Sequence, residues 1–348
     1  MKYLISGIIA GFAAGIFFFQ SASGMEIVPE FYSGLDSLDV LQPVGRKQDS
    51  KGFVVMIDGR TYVVDHNGSV LNRVDHEGAL VEFSGNGLFY TRYGKVSTDI
   101  ELLGVAGERY LKMKSAEKPL LSFNAGLMLL ANGDHSRIRI FDKNGMETGA
   151  RQVSGRLCTA LKFSRENDFF ACGFADGSYY FLDGRGNIIN RGMVRSGDVV
   201  KGIAVSPSGQ FGMVHYGNTD SDMLRLVDIA SNSFDETGTG RVHFVKTAMH
   251  VSDSGEGAFF DIDAVILTDN DCDIDFRLPV PAMRPGYSTL SFGKGVYSLC
   301  YTKGTGESQL VLFKRDGSIV YAKEFSGMSF LGSEIRGNLL FARGSDSL

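Results

Sequence analysis

Three landmarks recur along this chain at a spacing of about 42 residues, and their interleaving restricts the fold more than any single residue does. The first is a tight-turn signal flanked by β-prone residues, at Gly68, Gly107, Gly145, Gly186, the Ser231-Asn232 pair, Asp273 and Gly317. A second turn signal falls roughly twenty residues earlier in each unit, at Gly87, Gly126, Asn167, Gly209, Gly255, Gly295 and Gly337. The third is a Gly ahead of each unit's first strand, at Gly78, Gly155, Gly197, Gly240, Gly286 and Gly327, with Pro119 standing in once.

A repeat of this length with two hairpin turns predicts a four-stranded antiparallel blade, and the chain as an all-β propeller. The N-terminal segment offers a hairpin around Gly68 with none before it, and the C-terminal segment one around Gly337 with none after it. Each is half a blade. Pairing them gives seven blades over residues 51–348 and removes two open sheet edges. The entropy of closing so long a loop grows by only about 0.6 kcal/mol per doubling of length, so one shared set of strands can hold the ring.

The repeat makes one domain of 348 residues, a length that would otherwise suggest two. Its 44 glycines and 7 prolines suit many tight hairpins better than disorder. A formal charge of −5 with no run of basic residues excludes a general nucleic-acid binder. Four cysteines do not make a disulfide scaffold. Cys158 and Cys172 stand nearly equidistant from the turn of one expected hairpin, so they are either a cross-strand disulfide or two buried thiols.

Residues 1–24 are different material: Met1-Lys2, an uncharged apolar run over residues 3–19, then a small polar stretch. The run suits either a retained hydrophobic helix anchoring the chain in a membrane or a cleaved signal peptide. Lys2 before it and Glu26, Glu30, Asp36 and Asp39 after it place the rest of the chain outside the cytoplasm. Residues 25–50 read as a linker.

Within the repeat, an Asp follows an apolar residue at the end of the third strand, in Val64-Asp65, Phe141-Asp142, Leu182-Asp183 and Val227-Asp228. A Gly precedes the first strand of the same unit, as Gly155 does before Asp183 and Gly197 before Asp228. That order resembles the WD-repeat propellers, in which a Gly-His pair comes early and a Trp-Asp pair closes the third strand. There is no Trp in this chain and no His after those glycines, so the family's hydrogen-bonded network does not carry over. Quinoprotein-type propellers are similar in shape, but their repeats lean on Trp.

No catalytic constellation emerges. The six histidines, His66, His76, His135, His215, His243 and His250, have no metal-ligand spacing, and there is no nucleophile elbow, phosphate loop or Cys-x-x-Cys. The one dense cluster is acidic: Asp269, Asp271, Asp273 and Asp275 would share one face of an extended segment and could take calcium, the only cofactor the sequence suggests. Each connection between units carries a cation, among them Arg156, Arg191, Arg195, Arg241 and Arg284. The loops between second and third strands add Arg92, Tyr93, His135, Arg137, Tyr216 and Lys303 on the same end of the blades. Arg and aromatic anchors are the usual energetic centres of protein contacts. The expectation is therefore a non-catalytic scaffold, tethered or exported, that binds another extracytoplasmic or membrane-associated protein. The rival is a propeller enzyme or sensor of the lactonase or quinoprotein kind, with a metal or small ligand in the central channel.

Overall fold

The computed structural model describes residues 53–57, 60–64, 70–76, 78–94, 99–149, 153–244, 247–261, 263–280, 283–293, 295–303, 307–325, 328–336 and 339–346. At 53, 55–57, 283–293, 302–303, 325, 328–336 and 339–346 the backbone alone is described. The expected apolar segment at 3–19, the linker at 25–50 and the turn glycines Gly68 and Gly337 lie outside these residues. Among the described residues no helix is long and apolar enough to cross a membrane.

The described residues form strands joined by turns, in six consecutive four-stranded antiparallel sheets. Sheets I to VI begin at Leu80, Lys118, Cys158, Val199, Met249 and Met283, and their strands pair in chain order, so the repeat is real in space. Sheet IV shows the pattern, with strands Val199–Val205, Phe211–Gly217, Asp222–Asp228 and Ser233–Gly238. The N-terminal sheet holds three strands, Phe53–Ile57, Arg60–Val64 and Val70–Asp75, one more than the half-blade expected. The C-terminal hairpin, Met328–Arg336 and Leu339–Asp346, packs on sheet VI. These two end sheets are separate, and no ladder joins them among the described residues.

The second strands of sheets II to V are buried on both faces, so they alternate between two cores rather than between core and water, while the fourth strands of sheets I, IV and V are largely exposed or half-buried. On Phe211–Gly217, Val214 and Tyr216 enter the core shared with sheet III while Met213 enters the core shared with sheet V. Five such apolar seams join sheets I to VI in sequence. Phe170, Phe174, Phe181, Phe259 and Phe313 are fully buried in them.

The turns repeat as strictly as the strands. At the end of the third strand Asp142, Asp183, Asp228 and Asp269 each turn a carboxylate back onto backbone N–H groups of the following turn, at 2.8–3.1 Å. A short acidic side chain is suited to this because it imitates a backbone turn. The opposite hairpin uses serine. Ser84, Ser122, Ser164, Ser206 and Ser252, each at or just beyond the end of a first strand, are all buried and accept a backbone N–H from the turn or the start of the next strand. Left-handed backbone falls at Gly107, Gly145, Gly186 and Gly317 as the spacing predicts, but at Cys272 instead of Asp273 and at Ala125 instead of Gly126. Neighbouring first hairpins are also bonded to each other: Asn86 N–H to Phe123, Asn124 N–H to Asp168, Asn167 to the Pro207 carbonyl, and Ser208 N–H to Asp253.

Cys158 and Cys172 are unbonded thiols. An irregularity between Cys158 and Ala160 sets Cys158 opposite Phe174 and Cys172 opposite Leu161, so equal distance from the turn does not bring the two sulfurs across from each other.

Candidate functional site

The seam between sheets IV and V differs from its neighbours by holding a polar cluster at one end. His215 lies near the end of Phe211–Gly217 and Asp222 opens the next strand. His243 comes from the connection between the two sheets, and Asp261 follows Gly257–Phe260 of sheet V. The exposure of these four side chains is 1% or less. Charged side chains buried this deeply require partners, and each has them.

Asp222 is the hub. Its Oδ2 accepts from His215 Nε2 at 3.0 Å, from the His243 backbone N–H at 2.7 Å and from His243 Nδ1 at 2.9 Å. Its Oδ1 accepts from the Lys201 ammonium at 2.5 Å, and Lys201 also donates to the Asn218 carbonyl. The second ring nitrogens are engaged as well. His243 Nε2 lies 2.6 Å from Asp261 Oδ1, and His215 Nδ1 lies 3.0 Å from Thr247 Oγ1. Arg277 reaches Asp261 at 3.5 Å and the Thr239 carbonyl at 2.7 Å. Phe259 floors the cluster, its ring 4.7 Å from His215 and 5.2 Å from His243.

The electrostatics follow from this geometry. Burial alone would neutralise Asp222, but the bonds from His215, Lys201 and His243 outweigh it and hold the carboxyl well below its usual range. Burial likewise opposes charge on His243, and its bonds to Asp261 and Asp222 prevail, leaving its pKa raised. His215 goes the other way, because burial dominates and lowers it. Among the described residues, His215, Asp222 and His243 are the one grouping of three or more His, Cys, Asp or Glu side chains close enough to share an ion.

The four aspartates expected to hold calcium do not converge. Asp269 belongs to the turn series and is spent on the N–H groups of Asp271 and Asp273, and Asp275 pairs with Arg315 at 2.6 Å. Residues 269–273 form a turn rather than extended strand, which removes the shared face.

Of the expected contact residues, His135, Arg137, Arg156, Arg191, Arg195 and Arg241 are exposed, and Arg92 and Tyr93 are half-buried. Tyr216 is the correction. Its exposure is nil, its ring lies in the seam with sheet III and its hydroxyl bonds Glu236, because position 216 shares the face of the inward Val214, two residues before it on the strand. Arg195 pairs with Glu236 at 3.7 Å and Arg241 with Asp263 at 2.6 Å, so this end is a mosaic of charges rather than a ring of positive ones. Arg284 and Lys303 fall at strand positions where only the backbone is described.

The spacing of the histidines gave no sign of the buried cluster, because its members meet through the fold and come from segments up to 60 residues apart, Lys201 to Asp261. One local signal was present: a His in the middle of an otherwise apolar strand, His215, needs a buried polar partner, and Asp222 is the nearest acid inside the next strand. The structure also exposes apolar side chains at this end that the sequence reading passed over, Leu157, Met193 and Phe244, at 44%, 59% and 84%.

No family model matches the chain, and no curated protein matches it. Solved structures do. The chain is similar to BamB from Moraxella catarrhalis, with a TM-score of 0.57 and 14% identity over 88% of this chain and 94% of that one. It is also similar to KlHsv2, a Kluyveromyces propeller carrying a Gly-Ser linker in place of its loop 6CD, with a TM-score of 0.55 and 12% identity over 80% of this chain and 95% of that one.

Proposed function

We propose that this degenerate β-propeller is a seven-bladed, non-catalytic docking platform, exported or held at a membrane by residues 3–19, and that it receives another protein on the end carrying the connections between sheets. The seventh blade is proposed from the strands outside the six complete sheets, three at the N-terminal end and two at the C-terminal end, which are one more than four and are not joined to each other by a ladder among the described residues. The apolar run with Lys2 before it and acids after it supports an extracytoplasmic location.

One observation carries the docking reading. Phe244 is 84% exposed, and the residue before it, His243, is 1% exposed and tied to Asp222 and Asp261. A large aromatic side chain held in water on an immobilised backbone loses little entropy when a partner covers it, which is how preorganised anchors gain affinity. Leu157 lies in the connection before sheet III and Met193 ends the last strand of that sheet, both at the end that carries the connections, with Arg156, Arg191 and Arg195 beside them in sequence.

A photo-crosslinking residue placed at Phe244 or Leu157 in cells tests this. Both should yield the same discrete adduct, and the same residue at Met146, which is 64% exposed but on a turn at the opposite end, should not. Equal yields from all three positions would remove the docking face.

A further inference from the structure

Beyond the docking role, the cluster at the sheet IV–V seam has the layout of a metal centre. Two imidazole nitrogens, His215 Nε2 and His243 Nδ1, stand 3.0 and 2.9 Å from one carboxylate oxygen, Asp222 Oδ2. Around a tetrahedral ion with bonds of about 2.0–2.2 Å neighbouring donors stand about 3.3–3.6 Å apart, so the two nitrogens need draw back from the oxygen by only a few tenths of an ångström for an ion to replace the bridging protons. Asp261 behind His243 is the carboxylate partner that metal-binding histidines commonly have, and behind His215 the Thr247 hydroxyl takes that place. Asp261, 2.6 Å from His243 Nε2, can hold the ring's proton there, so that an ion would displace the proton that Nδ1 donates to Asp222. Thr247 Oγ1 meets His215 Nδ1 at 3.0 Å, which does the same for Nε2. Lys201 holds the other oxygen of Asp222 at 2.5 Å, so that a single oxygen is presented.

We propose that His215 Nε2, His243 Nδ1 and Asp222 Oδ2 bind one divalent transition-metal ion between sheets IV and V. Two imidazoles and one carboxylate suit zinc, and they are too rich in nitrogen for calcium or magnesium. Because the donors come from two strands of sheet IV and the connection into sheet V, the ion would fasten that seam and the loop bearing Phe244. Asp261 and Thr247 are positioning residues in this arrangement, since they act through the two rings. The alternative is a cluster in which protons alone occupy the same contacts.

The test uses the untagged chain, stripped with a chelator and titrated with zinc against a chromophoric competitor, with cobalt in a parallel sample. The expected result is one zinc per chain, a rise in Tm, and X-ray absorption showing imidazole and carboxylate donors without sulfur. Asp222→Asn and the double variant His215→Gln, His243→Gln should lose site-specific binding, and Asp261→Asn or Thr247→Val should weaken it roughly 10–100-fold. If variants fail to fold, the stoichiometry and ligand environment of the unaltered chain decide. Uptake well below one ion per folded chain, a sulfur-ligated ion, or unchanged uptake in the double variant would overturn the proposal.

Discussion

His243 Nε2 and Asp261 Oδ1 lie 2.6 Å apart, joining the connection that leaves sheet IV to the end of a strand in sheet V. A bond between groups this buried binds the two sheets by charge as well as by apolar contact, and it makes the seam sensitive to the loss of either partner.

Asp222→Asn should therefore be among the most damaging single changes. It leaves the Lys201 ammonium, 14% exposed, and two buried histidine nitrogens facing a neutral amide. Breaking one partner of a buried ion pair costs about 3–5 kcal/mol, which urea unfolding followed by circular dichroism will register as a lowered midpoint.

Phe244 and Phe259 make a matched pair for the same assay. Phe244→Ser should change stability by less than about 0.5 kcal/mol, since the ring at 84% exposure rests on little. Phe259→Ala, at 0% exposure beneath both histidines, should cost about 3–5 kcal/mol.

At Gly149 the backbone takes φ +65°, and a Cβ there would stand 2.0 Å from the Gly186 carbonyl oxygen in the neighbouring sheet. Gly149→Ala must therefore move one turn off another. We expect a loss of about 1–3 kcal/mol, while Gly107→Ala, where a Cβ meets nothing, carries the backbone strain alone.

The seam between sheets III and IV has its own titrating group. Burial opposes charge on Glu236, but bonds from Tyr216 and Arg225 outweigh it and set its pKa below the ordinary 4.5. The unfolded chain therefore takes up the proton first, and the stabilisation is present above about 4.5 and lost as pH falls through the lower native value. Wild type should exceed Glu236→Gln in urea midpoint at pH 7, and the gap should narrow steadily below pH 4.5.

Ser206→Ala tests the serine series. Ser206 has no exposure and its hydroxyl oxygen accepts the Phe211 N–H at 3.1 Å, so its removal should cost about 1 kcal/mol. The exposed Ser208, two positions on, should tolerate alanine better, since its N–H contact to Asp253 is made by the backbone.

The alternation of turns was legible because glycine and aspartate at fixed offsets report backbone conformation directly, and Gly107, Gly145, Gly186 and Gly317 stand where the spacing put them. Asp269 was misread for an instructive reason. It is the next member of the series Asp142, Asp183 and Asp228, but Thr268 precedes it where the others follow an apolar residue, and three further acids nearby drew the eye to ion binding. The serine series went unseen since serine is common and its burial is not written in the sequence. Tyr216 failed as a contact residue because a strand buried on both faces has no outward side, so alternation does not label a surface. The IV–V cluster was out of reach for a different cause: which residues meet across a seam depends on the register and tilt of two sheets, and no local pattern encodes that.

The bonds between successive first hairpins, from Asn86 through Asn124 and Asn167 to Ser208 and Asp253, run like stitches in a single thread. Each stitch joins only adjacent sheets, so a cut in one loosens its two neighbours and leaves the remainder taut. An array sewn in this way lets one unit change without disturbing those beyond its neighbours.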